Sequence, residues 1–185
     1  MKAKVNKVTL EVIQGDILKL PVDGVVVVTD PNLTLDSRLI QEAGESIQAQ
    51  TATIGWSDVG TAAMTDAGKL TNLNKIIHAV GPRWGEGSER GKLANLVWSI
   101  VNLAEDQELK SIALPAVSVG TFGYPVEASA QIVIARLIDF TFEDPRHLRN
   151  IKICLSDTAM FDIFLAEFRR QIEDLRETGE GKVRV

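Results

Sequence analysis

Cysteine is nearly absent from this chain: Cys154 is the single one among 185 residues. One thiol forms no internal disulfide and supplies no thiolate cluster for a metal. Histidine is almost as scarce. His78 and His147 are far apart in sequence, and two distant imidazoles do not suggest a zinc site. No metal and no cofactor is expected. Long apolar runs are missing too, none approaching the roughly 18 residues that a membrane-spanning helix needs. The opening MKAKVNKVTL has positive charge but no apolar stretch behind it, so it does not read as a secretory signal. The expected location is the cytoplasm. Basic runs are lacking as well. Lys and Arg total 20 against 25 Asp and Glu, a net charge of −5, and the densest basic cluster, Arg146-His147-Leu148-Arg149, is short. Non-specific nucleic-acid binding works by neutralising phosphates and is not expected here. A small anionic ligand stays open, because a local cradle of backbone N–H groups can oppose the global charge.

What is present is the ordinary material of a soluble globular protein, 45% hydrophobic and 24% charged. The length suits one domain with a sizeable core. Strand and helix patterns alternate along it. VTLEVI (8–13) alternates with period two, and GVVVV (24–28) is a β-branched run of the kind buried on both faces of a sheet. Residues 35–49 carry Leu35, Leu39, Ile40, Ala43 and Ile47 at spacings of three and four, a helical stripe that Thr34 or Asp36 would cap. Short strands follow at 61–65 and 75–80, parted by the turn signal Asp66-Ala67-Gly68. Residues 89–106 form an amphipathic helix, 111–114 a strand, 126–142 a helix, 151–155 a strand and 160–175 a final helix. The pattern predicts an α/β fold, one three-layer α/β/α domain over residues 1–176 with a mostly parallel mixed sheet. Residues 177–185 read as a polar, frayed tail.

The stretch LPAVSVGTFGYP, Leu114 to Pro125, is a strand-to-helix loop with two glycines, two hydroxyls and two aromatics. Ligands of open α/β sheets bind beyond the carboxyl ends of the strands. Gly120 and Gly123 have no Cβ, so the backbone there can approach an anion closely. On these residues alone, a tight connection and a phosphate cradle are equally good readings. His78 lies in an apolar strand and reads as a hydrogen-bonded core histidine. Trp98 and Cys154 read as core, and Trp56 and Trp84 flank loops.

Five segments, taken in order, resemble the macro domain family of ADP-ribose-binding modules. Gln14-Gly15-Asp16-Ile17 resembles that family's GDI segment, and Val22-Asp23-Gly24-Val25-Val26 its VDAIV strand entry. Asp58 to Thr65 resembles VGEAVIT, and Ile76 to Pro82 is close to VIHTVGP. Lys110 to Pro125 resembles SIAFPAISTGIFGYP. The resemblance spans about Val8 to Phe168. It implies ADP-ribose or a similar small nucleotide as ligand. Asp16 would accept from the adenine amino group, since an ionised carboxylate only accepts, with Ile17 beside it. Ser118, Val119, Gly120, Thr121, Phe122 and Gly123 would form the diphosphate and distal-ribose loop. The amides of residues 119–122 would face the phosphates, and Phe122 would shield the ribose. Tyr124 would pack beneath.

Three departures from the family pattern bear on activity. Where an asparagine-bearing NAAN segment is usual, this chain has Val27-Val28-Thr29-Asp30 followed by Pro31. The glycine-rich loop before the first helix is missing and the connection is shorter. Leu33 and Leu35 do not take glycine conformations cheaply. Ser156 occupies the place of an aromatic that stacks on adenine, a contact worth roughly 1–3 kcal/mol per base elsewhere. The leading expectation is a diverged, non-catalytic macro domain that binds ADP-ribose or a related nucleotide diphosphate. One alternative is an ADP-ribosyl or ADP-ribose-ester hydrolase with Asp30 or Asp36 activating water. Another is a scaffold or protein-interaction module that has lost ADP-ribose binding.

Overall fold

The computed structural model describes residues 1–185. Eight strands form one sheet: β1 (Lys2–Val5), β2 (Val8–Gln14), β3 (Gly24–Thr29), β4 (Ala62–Asp66), β5 (Lys75–Val80), β6 (Ser111–Leu114), β7 (Asn150–Leu155) and β8 (Val183–Arg184). Their spatial order is β4-β5-β3-β6-β7-β2-β1-β8. The five central strands β5, β3, β6, β7 and β2 run parallel. Antiparallel β4 closes one edge; at the other, β1 runs antiparallel to β2, and β8 antiparallel to β1. The helices are α1 (Ser37–Ala43), α2 (Ser46–Ile54), α3 (Glu89–Asp106), α4 (Val126–Thr141) and α5 (Thr158–Thr178). A single 3-10 turn covers Ile17–Lys19. No helix is long and apolar enough to cross a membrane.

The period of two along each strand divides the interior into two cores. Val26, Ile77, Ile112 and Leu114 point to one face, where they meet α3, α4 and α5. Their neighbours Val25, Ile76 and Ala113 point to the other, where they meet Leu39 and Ala43 of α1 and Ile47 of α2. Alternate Cβ atoms of a strand leave opposite faces, so the unbroken β-branched run of β3 serves both layers at once. This is the expected three-layer α/β/α sandwich with a mixed, mostly parallel sheet.

Two local expectations are corrected. The stripe at 35–49 is not one helix: α1 stops at Ala43 and α2 begins at Ser46. Gly44, at φ +89°, leaves helical space, and Lys69 N donates to Ala43 O at 2.8 Å, tying the break to the β4–β5 turn. A periodic apolar pattern persists through such a break, so periodicity does not reveal it. The end of the chain is not frayed either. Helix α5 continues to Thr178, Gly179 caps it at φ +70°, and β8 pairs with Lys4 and Val5 of β1. The Asn6 backbone donates to Lys182 O at 2.8 Å, and its side-chain oxygen accepts from Lys182 N at 3.0 Å. One half-buried asparagine thus holds a segment whose own composition is polar.

Candidate functional site

Parallel strands deliver their following loops to one edge of the sheet, and the loops after β2, β3, β5, β6 and β7 carry the residues of interest. Strand β6 ends at Leu114, and the loop to α4 turns twice before Pro125. Ser118 (φ +60°), Gly120 (φ +85°) and Gly123 (φ +75°) all sit in left-handed space. Three backbone bonds hold the loop: Val119 N to Ala116 O (3.3 Å), Gly123 N to Gly120 O (2.9 Å) and Tyr124 N to Ser118 O (3.0 Å). The amides of Gly120, Thr121 and Phe122 make no hydrogen bond within the chain. Three neighbouring N–H groups on an exposed turn form a ready anion cradle. The Val119 amide, expected to join them, is taken by Ala116 and does not. A Cβ on Gly120 would meet nothing within 4 Å, so the cradle opens outward.

Beneath the cradle the packing is tight. Ser118 is buried, and its Oγ has no hydrogen-bond partner in the chain. A Cβ on Gly81, which follows β5, would lie 2.4 Å from that oxygen and 2.8 Å from Val28 Cγ1. Tyr124 is buried as expected and meets Trp84 edge to face, with ring centroids 5.1 Å apart. The Trp84 backbone donates to Phe122 O at 2.9 Å, joining the β5–α3 segment to the cradle. Half-buried Phe122 lies under the Arg83 guanidinium, whose carbon is 4.4 Å from the ring centroid. Sequence reasoning passed over Arg83; its place directly after Gly81-Pro82, at the end of a parallel strand, was the available signal.

The β3–α1 loop is built differently. Asp30 Oδ1 accepts three bonds, from Asn32 N (3.0 Å), Thr34 N (3.2 Å) and Thr34 Oγ1 (3.0 Å). The Leu33 backbone adds a bond to Asp30 O at 2.9 Å. Inside this turn Leu33 adopts φ +57° with its side chain buried, a glycine-like conformation that a leucine is not expected to take cheaply. The carboxylate that caps the turn makes that conformation tenable. Burial raises the Asp30 pKa, but the bonds from Thr34 and Asn32 and the charge of Arg83 outweigh it, and the net shift is downward. Asp36 is the helix cap, accepting from Leu39 N at 2.7 Å, and Thr34 is not. Both candidate water-activating carboxylates therefore already hold backbone.

Asp16 closes the far end. Its Oδ1 accepts from Leu18 N at 3.2 Å and caps the 3-10 turn that begins at half-buried Ile17. Its Oδ2 is paired with Arg38 of α1 at 2.5 Å, and Arg38 is also held by Glu42 at 2.8 Å. The Arg38 bond, partly opposed by burial, holds the Asp16 carboxyl below the usual aspartate value. Ser156, between β7 and α5, is exposed, and its carbonyl accepts from Gln14 Nε2 at 3.4 Å. Asp157 next to it caps α5 through Met160 N at 2.8 Å. Cys154 is buried near Gly15, and burial raises its thiol pKa. His78 is a core residue, its Nε2 2.9 Å from Thr65 Oγ1. Burial lowers its pKa to about 4, which leaves it neutral at neutral pH. Trp98 packs against the main core, whereas Trp56 and Trp84 are more than half exposed, at 60% and 51%.

Known proteins match this chain over most of its length. The Macro domain family matches residues 32–133. A macro domain-containing protein of Listeria monocytogenes is 37% identical over 135 residues, covering 68% of this chain and 76% of its own. An O-acetyl-ADP-ribose deacetylase of Salmonella gallinarum is 36% identical over 141 residues, covering 71% of this chain and 78% of its own. Among solved structures, the Oceanobacillus iheyensis macrodomain with ADP superposes with a TM-score of 0.87 at 26% identity, covering 94% of this chain and 97% of that one. A family match over more than half of the chain, a 37% identical relative and a superposition over 94% of the chain lead to one conclusion: the chain belongs to the macro domain family.

Proposed function

We propose that this chain binds ADP-ribose or a closely related nucleoside diphosphate across the carboxyl ends of β2, β3, β6 and β7. The observation that carries this reading is the run of three unpartnered amides at Gly120, Thr121 and Phe122. A diphosphate supplies the acceptors they lack, and an anion cradled by backbone N–H groups needs no basic side chain of its own. Asp16 takes the adenine amino group beside Ile17 and Ser156, while Ser118 and Gly123 hold the loop that puts Phe122 over the distal ribose. The Salmonella relative named for O-acetyl-ADP-ribose and the neighbour solved with ADP support this ligand class. Binding proceeds without turnover in this reading, because Asp30 and Asp36 are engaged in holding their own backbone.

Calorimetric titration with ADP-ribose tests it, with AMP, ADP and ribose 5-phosphate as controls. The expected result is micromolar affinity for ADP-ribose and weaker binding of each control. No heat and no thermal stabilisation at millimolar ligand would overturn the reading and leave the fold as a scaffold.

One observation favours a second reading, hydrolysis of an ADP-ribose ester: the 36% identity to a protein named a deacetylase. Its test is incubation with O-acetyl-ADP-ribose and chromatography of the products. Turnover that disappears in Asp30→Ala or Asp36→Ala while ADP-ribose binding survives would establish it.

A further inference from the structure

Arg83 stands where the two differently built loops approach one another. Its backbone position is fixed on one side by the 2.9 Å bond from Trp84 N to Phe122 O, which draws the β5–α3 segment against the cradle. Its guanidinium lies on the Phe122 ring, 4.4 Å from the centroid, beside the three unpartnered amides. On the other side its charge reaches Asp30, where it contributes to the lowered carboxyl pKa. The side chain is exposed and belongs to no ion pair of the chain.

These facts pose an electrostatic problem and supply its answer. A chain of net charge −5 places an ionised carboxylate, Asp30, directly after β3, the strand paired with β6, whose following loop is the cradle suited to a diphosphate. A carboxylate and a diphosphate repel one another, which opposes binding. The neighbouring cation with free donors is Arg83. An exposed guanidinium resting on an aromatic ring is only weakly held, whereas a planar fork of donors bound to phosphate oxygens forms charge-assisted, bidentate bonds. Moving from one to the other is favourable whenever a phosphate arrives, and the long side chain permits it.

We infer that Arg83 is a specificity-determining residue of this cleft: its guanidinium leaves Phe122 for the bound diphosphate and offsets Asp30, so that diphosphate ligands are selected over monophosphates. This rests on the diphosphate reading of the site. The phosphates receive backbone N–H groups from one side and a mobile cation from another. Phe122, uncovered by the same movement, is released to face the ribose.

The test compares the wild type with Arg83→Met, which keeps the apolar stem over Phe122 and removes the charge. Calorimetry with ADP-ribose should show affinity weakened about tenfold or more, the loss of one charge-assisted contact, with AMP changed by less than about threefold. Raising salt from about 0.05 M to about 0.5 M should weaken the wild type more than the variant, because the screened charge is gone from the latter. Without ligand, the Asp30 carboxyl carbon followed by NMR should titrate at higher pH in Arg83→Met. Adding Asp30→Asn to Arg83→Met should restore part of the lost affinity. Equal ADP-ribose affinity in wild type and Arg83→Met, or an equal loss for AMP, overturns the assignment of Arg83 alone. A wild type that binds no ADP-ribose overturns the ligand reading and this inference together.

Discussion

Strands β3 and β6 are hydrogen-bonded neighbours, yet the loops that follow them dispose of their backbone amides in opposite ways. After β6, glycines at φ +85° and +75° turn the chain and leave the amides of Gly120, Thr121 and Phe122 unpartnered. After β3, the Asp30 carboxylate folds back onto the amides of Asn32 and Thr34 and consumes them. The loop built on glycine lends its donors outward; the loop built on aspartate spends them on itself. Even the strained residue is treated differently. Leu33 at φ +57° costs about 1–2 kcal/mol in backbone sterics, and burying its side chain returns roughly 2 kcal/mol. The two terms nearly cancel, so the Asp30 bonds decide that this turn persists.

The comparison is broken most completely by filling the open cradle. Gly120→Glu should abolish ADP-ribose binding, with an affinity loss beyond about a hundredfold from an added like charge and added bulk. Gly120→Ala is the control, because both variants carry the same cost, about 1 kcal/mol, of a side chain at φ +85°. Both should melt slightly early, and Ala should still bind. Binding retained in Gly120→Glu would make the loop a mere connection.

Gly81→Ala tests whether the two walls share a foundation. The added methyl would lie 2.4 Å from Ser118 Oγ on one side and 2.8 Å from Val28 Cγ1 on the other. Overpacking of this kind costs about 1–3 kcal/mol. Denaturant unfolding should show that loss, and ADP-ribose affinity should fall with it as Ser118 is driven into the cradle. A variant as stable as the wild type would mean that the loops move independently.

Asp30→Ala sharpens the contrast from the other side. Three accepted bonds disappear, and the cost should be about 2 kcal/mol, less than their gross sum because the freed groups reach water. Amide hydrogen exchange should accelerate at Asn32 and Thr34 and stay unchanged at Gly123, whose bond to Gly120 lies in the other loop. Equal acceleration in both loops would merge them into a single unit.

This contrast also separates what the sequence discloses from what it withholds. The β6 loop is legible because its strand, its glycines and its helix start are all marked by local residue type. Strand β3 and its division between two cores follow from an unbroken β-branched run. The β3–α1 turn is hidden, since nothing in Asp30-Pro31-Asn32-Leu33 announces that one carboxylate oxygen will accept three bonds and seat a leucine in left-handed space. Strand β1 is hidden by its brevity and its lysines: KAKV alternates, but four residues give too little periodicity to recognise. Strand β8 depends on Asn6, far away in sequence. Arg83 and Arg38 escape notice for a similar reason. Their roles lie in which loop they reach, and tertiary placement has no local signature.

Arg38→Ala carries the smallest expected effect and asks where the ligand site ends. The Arg38–Asp16 pair is half exposed, so its removal should cost less than about 1 kcal/mol of stability. The Asp16 carboxyl, no longer held by the guanidinium, should titrate closer to the ordinary aspartate value. In acid the sign is definite. A depressed carboxyl pKa contributes stability above the unfolded value and loses it as pH falls through the folded one, so the wild type should lose slightly more stability than the variant on acidification. The bond from Leu18 N survives the substitution and keeps the carboxylate oriented. An ionised carboxylate offers about four acceptor sites, enough to serve Leu18, Arg38 and an adenine amine together. ADP-ribose affinity in Arg38→Ala should therefore stay within about threefold of wild type, roughly 0.7 kcal/mol. A tenfold loss would move Arg38 from the support of the site into its base-binding wall.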